Sequence, residues 1–293
     1  MQTVNKGPEP IEWQEHRLTP GADFQATPEL KFALLKEGGF VCAYCERRIP
    51  CEDPFDNNSQ SDNSDSHAAT HRTDTMHVEH VYPRKLLTTP AERMRYDNLT
   101  ACCPGFIGKI GTHSKASMYS SHCDHRKGSR VLHLNIFKPD ISADFSYVTN
   151  IKKDDAGRIL INKTFDHHPD QREINWLNEN KPGWDEGHPG ILKVELQNEI
   201  GPEKMEHPEN VLNLNHPYLM MNRAAVIKAI TTAAKKNGTS RRWWENALRK
   251  FSTMSERIPY LNPKTNQTEY FPAYTPYRSI AIYYIKKQLR QFV

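Results

Sequence analysis

Four of the six cysteines fall in an order that constrains the chain more than any other feature. Cys42-x-x-Cys45 comes first, then the acid–histidine pair Glu79-His80, then Asn98, then Cys103, and last the run Cys123-Asp124-His125-Arg126-Lys127-Gly128. A CxxC alone fits redox chemistry, a zinc knuckle or an ordinary turn. Two cysteine pairs that bracket an acid–histidine strand point to a zinc-pinned site, with Cys42, Cys45, Cys103 and Cys123 as a closed tetrahedral set. Nineteen residues separate Cys103 from Cys123 where a knuckle usually has two. Cys102, His113 or His122 can therefore replace one of the four, and Cys102 with Cys103 can equally be buried core thiols. Cys51 fits no pattern.

The compartment bears on that reading. The N-terminus, MQTVNKGPEPIEW, lacks a basic start followed by an apolar stretch, and no run of 18 or more apolar residues occurs, so a soluble, cytosolic protein with no membrane contact is expected. Cysteines in a reducing compartment favour metal over a disulfide framework. Net charge is only +4, but its placement is uneven. From Ala101 to Lys138 the chain carries Lys109, Lys115, Arg126, Lys127, Arg130 and Lys138 against one acid, Asp124, a basic patch suited to phosphates.

The first thirty residues are proline-bearing and polar, and are expected to wrap the surface. Thr27-Pro28 starts a helix that Gly38-Gly39 stops. Residues 52–75 are almost wholly polar and read as a mobile insertion, in which His67, His71 and the nearby His77 are taken as solvated. Met76 to Tyr82 alternates like a strand ended by Pro83. The runs Val131 to Phe137, Phe145 to Val148 and Arg158 to Thr164 read as strands, with Asp154 to Gly157 as a hairpin turn. The C-terminal third reads as mainly helical: one helix from about Tyr218 to Lys236, one from about Ser240 to Met254 with Trp244, Leu248 and Phe251 on one face, and one from Thr275-Pro276 burying Ile282, Ile285, Leu289 and Phe292.

Hydrolysis of a phosphodiester needs a base for water, a cation for the phosphate charge and donors that hold the backbone in line. His80 is the candidate base. Glu79 and Asp124 are hard oxygen ligands suited to Mg²⁺ or Mn²⁺, with His125 as the rival to Asp124. Asn98 can orient the base or tie down a loop by its amide, while Lys127 and Arg126 can meet phosphate, with Arg130 and Lys115 beside them in the basic patch. One difficulty stands: neighbours on a strand point to opposite faces, so Glu79 and His80 share a direction only where the strand twists or bulges. Trp243-Trp244, flanked by arginines, can stack bases or fill a core.

The stretches CAYCERRI, HVEHVYPRK, YDNLTACCPG and CDHRKG resemble the HNH nucleases of the Septu and retron antiphage systems, the PtuB-type proteins; NKGPEP and NVLNLNHPYLMMNR extend the resemblance over most of the chain. The resemblance implies an α+β fold, an HNH ββα-metal finger with structural zinc joined to a mainly helical C-terminal part. The corresponding division is an N-terminal arm and helix over 1–40, a nuclease core over 41–137 and a C-terminal region over 138–293. It matches His80 to the general base, Asn98 to the middle asparagine, and Glu79 with Asp124 to the ligands of catalytic Mg²⁺ or Mn²⁺; the third motif position, usually His or Asn, is here Asp124. It also implies a nucleic-acid substrate, DNA foremost and structured RNA such as tRNA as the alternative, and a PtuA-type ABC/SMC-like ATPase as partner, joined in retrons by a reverse transcriptase with its RNA–DNA hybrid. A zinc-stabilised binding module without catalysis and a redox CxxC are the rival readings.

Overall fold

A computed structural model describes residues 1, 3–50, 76–105, 121–203 and 206–292. The polar insertion at 52–75, with Cys51, His67 and His71, lies outside the described residues, as do Lys109, His113 and Lys115.

The architecture is α+β, built from helices and small antiparallel sheets. Helices α1 (Ile11–Leu18) and α2 (Pro28–Glu37) open the chain. The Thr27 hydroxyl accepts from the Leu30 N–H at 3.2 Å and Pro28 stands in the first turn, so α2 begins where the sequence signals it. Strands β1 (His77–His80) and β2 (Leu99–Cys102) pair antiparallel, with Glu79 opposite Thr100 and His80 opposite Leu99. Between them runs the short helix α3 (Pro90–Arg93), and after them α4 (Cys123–Lys127). Three more two-stranded antiparallel sheets follow: β3 (Phe145–Tyr147) with β4 (Ile159–Ile161), β5 (Thr164–His167) with β6 (Leu192–Glu195), and β7 (Glu256–Asn262) with β8 (Gln267–Ala273). The remaining helices are α5 (Gln171–Asn180), α6 (Leu196–Ile200), α7 (Pro217–Asn237), α8 (Arg241–Ser252) and α9 (Arg278–Leu289).

One apolar core draws on the whole chain, from Trp13 and Leu35 through Leu99 and Leu134 to Leu214 and Ile280. A second, smaller cluster joins α7, α8 and α9 through Ile230, Trp244, Phe251, Ile282 and Ile285. Trp244 is core and Trp243 half-buried against it, at a ring separation of 4.7 Å. No helix among the described residues is long and apolar enough to cross a membrane.

Several expectations from the sequence need correction. The N-terminal arm does not merely wrap the surface: Trp13 is buried on α1 and its indole N–H donates to the Met94 carbonyl at 3.0 Å. The run Val131 to Phe137 buries Val131, Leu132, Leu134 and Ile136 as irregular chain, not as a strand. Its backbone finds partners other than a ladder, since the His133 N–H meets the Glu199 carboxylate at 3.1 Å and the Phe137 N–H meets the Asn135 side chain at 3.0 Å. The C-terminal third carries the β7–β8 hairpin as well as helices, and Phe292 is 40% exposed beyond α9.

The Asp154-to-Gly157 turn does join β3 to β4, and Gly157 is indispensable there. Its φ is +86°, and a Cβ would lie 2.1 Å from the Met220 carbonyl oxygen in α7. The Arg223 Nε donates to the Gly157 carbonyl at 2.7 Å, so turn and helix are locked together. Gly157→Ala is expected to cost more than about 1 kcal/mol, from the left-handed φ and the clash together; a lower midpoint in urea unfolding measures this.

Candidate metal centre and cleft

Three segments bring thiols to one point. In the CxxC turn the Cys42 N–H donates to the Arg47 carbonyl at 2.8 Å and the Glu46 N–H to the Cys42 carbonyl at 2.9 Å, curling the chain so that both sulfurs face inward. The Ala43 N–H then reaches the Ala101 carbonyl at 3.1 Å and ties the turn to β2. On the other side Gly105, at φ +75°, passes so close to the His122 carbonyl that a Cβ would sit 2.0 Å from it. That approach delivers His122 and Cys123 to the cluster from the start of α4.

Cys42, Cys45, Cys102, Cys103, Cys123 and His122 are all buried. The Cys42 Sγ lies 3.4 Å from that of Cys102 and 3.9 Å from that of Cys123; the Cys45 and Cys103 sulfurs are 3.7 Å apart. The His122 Nδ1 is 3.1 Å from the Cys123 Sγ, and its Nε2 is buried with no hydrogen-bond partner. Zinc–sulfur bonds of about 2.3 Å in a tetrahedron set sulfurs roughly 3.8 Å apart, so the cluster fits a structural zinc. Two overlapping groups satisfy mutual separations within 4.8 Å: Cys42, Cys102, Cys103 and Cys123, and Cys45, Cys103, His122 and Cys123. Cys102 and His122, the alternatives that the sequence leaves open, therefore both stand at the cluster.

Burial shifts the titration of every group in the cluster. Burial pushes the Cys45, Cys102 and Cys123 thiols well up. For Cys42 burial also raises the pKa, but hydrogen bonds from Cys102, Cys103 and Cys123 outweigh it and hold that thiol well below its ordinary value. Burial likewise drives His122 down to about 3, so its imidazole is neutral.

An open cleft of about 780 Å³ lies against this cluster, lined by His77, Glu79, His80, Arg84, Lys85 and Asp124 among others. Glu79 is 5% exposed. Its Oε1 accepts from the Tyr44 hydroxyl at 3.0 Å and pairs with the Lys127 ammonium at 2.8 Å, which leaves Oε2 without either partner. Burial, reinforced by the neighbouring Asp124 carboxyl, outweighs Lys127 and raises Glu79 to about 8. Burial opposes ionisation of Asp124 too, but hydrogen bonds from His77 and Glu79 hold it below the usual carboxylate range. The His77 Nδ1 stands 2.6 Å from the Asp124 Oδ2, so His77 belongs to the cleft and is not merely solvated. His125, the rival to Asp124, is exposed and does not line the cleft.

His80 ends β1, where the chain turns away at Pro83, and this lets it line the same cleft as Glu79 despite the alternation of the strand. Its Nε2 lies 2.8 Å from the Arg93 carbonyl oxygen, and Phe24 packs edge-on against the ring at 4.5 Å. A carbonyl only accepts, so Nε2 carries the hydrogen and Nδ1 keeps its lone pair. Burial lowers the pKa of His80, which keeps the ring neutral at pH 7. Asn98 ties down the turn: its Oδ1 accepts from the Tyr82 N–H at 2.7 Å and its Nδ2 donates to the Tyr82 carbonyl at 3.0 Å.

The basic residues are placed differently from the sequence expectation. Lys127 is 1% exposed and donates to the His80 carbonyl at 3.0 Å besides pairing with Glu79, so it faces the underside of the cleft. Arg126 and Arg130 turn inward to backbone carbonyls: Arg126 to Asn210 at 3.1 Å, Arg130 to Asn210 at 2.9 Å and Val211 at 3.3 Å. The exposed cations on the cleft are Arg84 and Lys85, in the HVYPRK stretch, which sequence reading passed over because the basic patch drew attention downstream.

Comparison with protein-family models, with curated proteins and with solved structures finds no match.

Removal of a cluster metal by a strong chelator under reducing conditions is expected to lower the melting temperature sharply, because the CxxC turn, the end of β2 and the start of α4 converge on that cluster. Calorimetry before and after chelation, with re-addition of Zn²⁺ restoring the transition, checks this.

Proposed function

We propose that this chain is a metal-dependent HNH-type endonuclease, with β1, β2 and α4 as its ββα-metal finger. The observation that carries the reading is the His80 ring, fixed through its Nε2 by the Arg93 carbonyl, in a cleft that also holds the Glu79 and Asp124 carboxyls. In this reading Cys42, Cys45, Cys103 and Cys123 hold the structural zinc, with Cys102 or His122 able to take one of those places.

Each neighbour has a part. The Arg93 carbonyl holds the tautomer of His80, so that Nδ1 can take a proton from water. Tyr44 and Lys127 fix the Glu79 Oε1 and leave Oε2, with Asp124, to hold Mg²⁺ or Mn²⁺. A divalent cation there supplies charge that offsets the negative charge developing on the phosphate. Asn98 acts as a positioning residue through the Tyr82 backbone, and Arg84 with Lys85 meet the nucleic-acid backbone at the rim. DNA is the leading substrate and structured RNA the alternative. The restraining PtuA-type ATPase, and in a retron setting the reverse transcriptase with its RNA–DNA hybrid, rest on the sequence resemblance alone.

His80→Ala is expected to lower cleavage of DNA or tRNA by roughly 10²- to 10⁴-fold, the usual contribution of a positioned base. Zinc content should stay unchanged and the variant should remain folded at the assay temperature despite the loss of the ring's packing, and undiminished cleavage contradicts the mechanism. A second outcome follows from the Glu79 value of about 8. A cation needs the ionised carboxylate, so affinity for Mn²⁺ should rise with pH by up to roughly tenfold per unit from neutrality and level off above about pH 8. Mn²⁺ titration followed by electron paramagnetic resonance measures it.

A further inference from the structure

Away from the cleft and the thiol cluster, two histidines and two glutamates converge from four segments. His133 lies in the irregular run after α4, His167 ends β5, Glu173 sits in the first turn of α5, and Glu199 lies on α6. One ligand atom each from His133, His167 and Glu173 lies within 4.8 Å of the other two. The two imidazoles meet edge to face at 4.6 Å, and the His167 Nε2 is 2.9 Å from the Glu173 Oε2. That is close to the roughly 3.3 Å that separates two ligands bonded at about 2.0–2.1 Å to one tetrahedral ion.

Glu199 supplies the second independent observation. It is 5% exposed, and its carboxylate takes the His133 Nδ1 at 2.5 Å and the His133 backbone N–H at 3.1 Å. A carboxylate that accepts from Nδ1 leaves Nε2 with its lone pair, the arrangement that orients a ligating imidazole and raises its basicity. Glu173 is prepared in the same way. Its hydrogen bond from the Asp170 N–H, at 3.2 Å, falls on Oε2, so Oε1 does not take it. Beside the group lies a void of about 30 Å³ lined by His133, Glu173, Glu199, Trp176, Leu177 and Val211, among others. That is room for about one water molecule.

We propose that His133, His167 and Glu173 form a second metal site, separate from the cysteine cluster, that binds a first-row divalent transition metal, with Glu199 orienting His133. Two imidazoles and a carboxylate are a borderline donor set, which favours zinc over magnesium or calcium. The fourth position faces the void, where a water completes the tetrahedron. The site joins β5, α5 and α6 to the run after α4, and it is independent of the nuclease reading.

The competing account is that Glu173 merely closes the capping box of α5 and that the histidines pair with carboxylates for packing. Glu173→Gln separates the two, because glutamine keeps the capping box and removes the charged ligand. Full-length protein is loaded with Co²⁺, and metal content and visible spectra are read for wild type, Glu173→Gln, His167→Gln and Glu199→Gln. Wild type should hold one more ion per chain than Glu173→Gln or His167→Gln, and Glu199→Gln should bind that ion roughly 10- to 100-fold more weakly. The thiolate-to-cobalt band of the cysteine cluster should be the same in all four. Equal metal content in wild type and Glu173→Gln overturns the proposal, as does metal loss that comes with loss of the thiolate band.

Discussion

The convergence of buried thiols is the constraint on which the rest of the structure depends. Two-stranded antiparallel sheets with strands three to seven residues long, such as β1–β2 and its three counterparts, are marginal in water by themselves. The cysteine cluster ties the CxxC turn to the end of β2 and to the start of α4, and each tie has a geometric consequence. Because α4 begins at Cys123, Asp124 enters the cleft one residue later and Lys127 comes under Glu79 after a further turn. Because β2 ends at Cys102, the register of β1 is set, and His80 falls opposite Leu99 at the lip of the cleft.

Charge placement follows from that frame. Glu79 is nearly sealed from solvent, with one like charge and one opposite charge beside it, and burial together with Asp124 outweighs the ammonium of Lys127. The result is a carboxyl pair held close with fewer positive neighbours than it needs for both members to ionise. In the proposed function a divalent cation answers that deficit, held by the Glu79 and Asp124 carboxylates. His80 is held from the opposite side by the Arg93 carbonyl and Phe24, so its orientation does not depend on the cation.

The legible part of the sequence was the part written in local chemistry. Thr27-Pro28 and Gly38 bounded α2, alternation marked β1, and the cysteine order foretold a buried cluster. What stayed hidden depends on which surface a residue faces. Lys127, Arg126 and Arg130 read as a phosphate patch because charge count carries no direction; carbonyls of Asn210 and Val211, about eighty residues away in sequence, turn the arginines inward. The run after Val131 has strand composition, but the Glu199 carboxylate takes the N–H that a ladder would use. His133, His167 and Glu173 carried no signal beyond the FDHHPDQRE stretch, since their meeting is tertiary. The resemblance to PtuB-type nucleases, by contrast, rests on motifs alone and extends to substrate and partner only as a proposal.

In the proposed function the thiol cluster fixes a cleft whose carboxyls are poised for a divalent cation beside an oriented histidine. Crystals of the zinc-loaded protein soaked in Mn²⁺, with diffraction data collected at the manganese edge, test it most directly. The expected map has an anomalous peak between the Glu79 and Asp124 carboxylates, in the cleft that His80 also lines. A cleft without such a peak, in crystals whose cysteine cluster is filled, would contradict it.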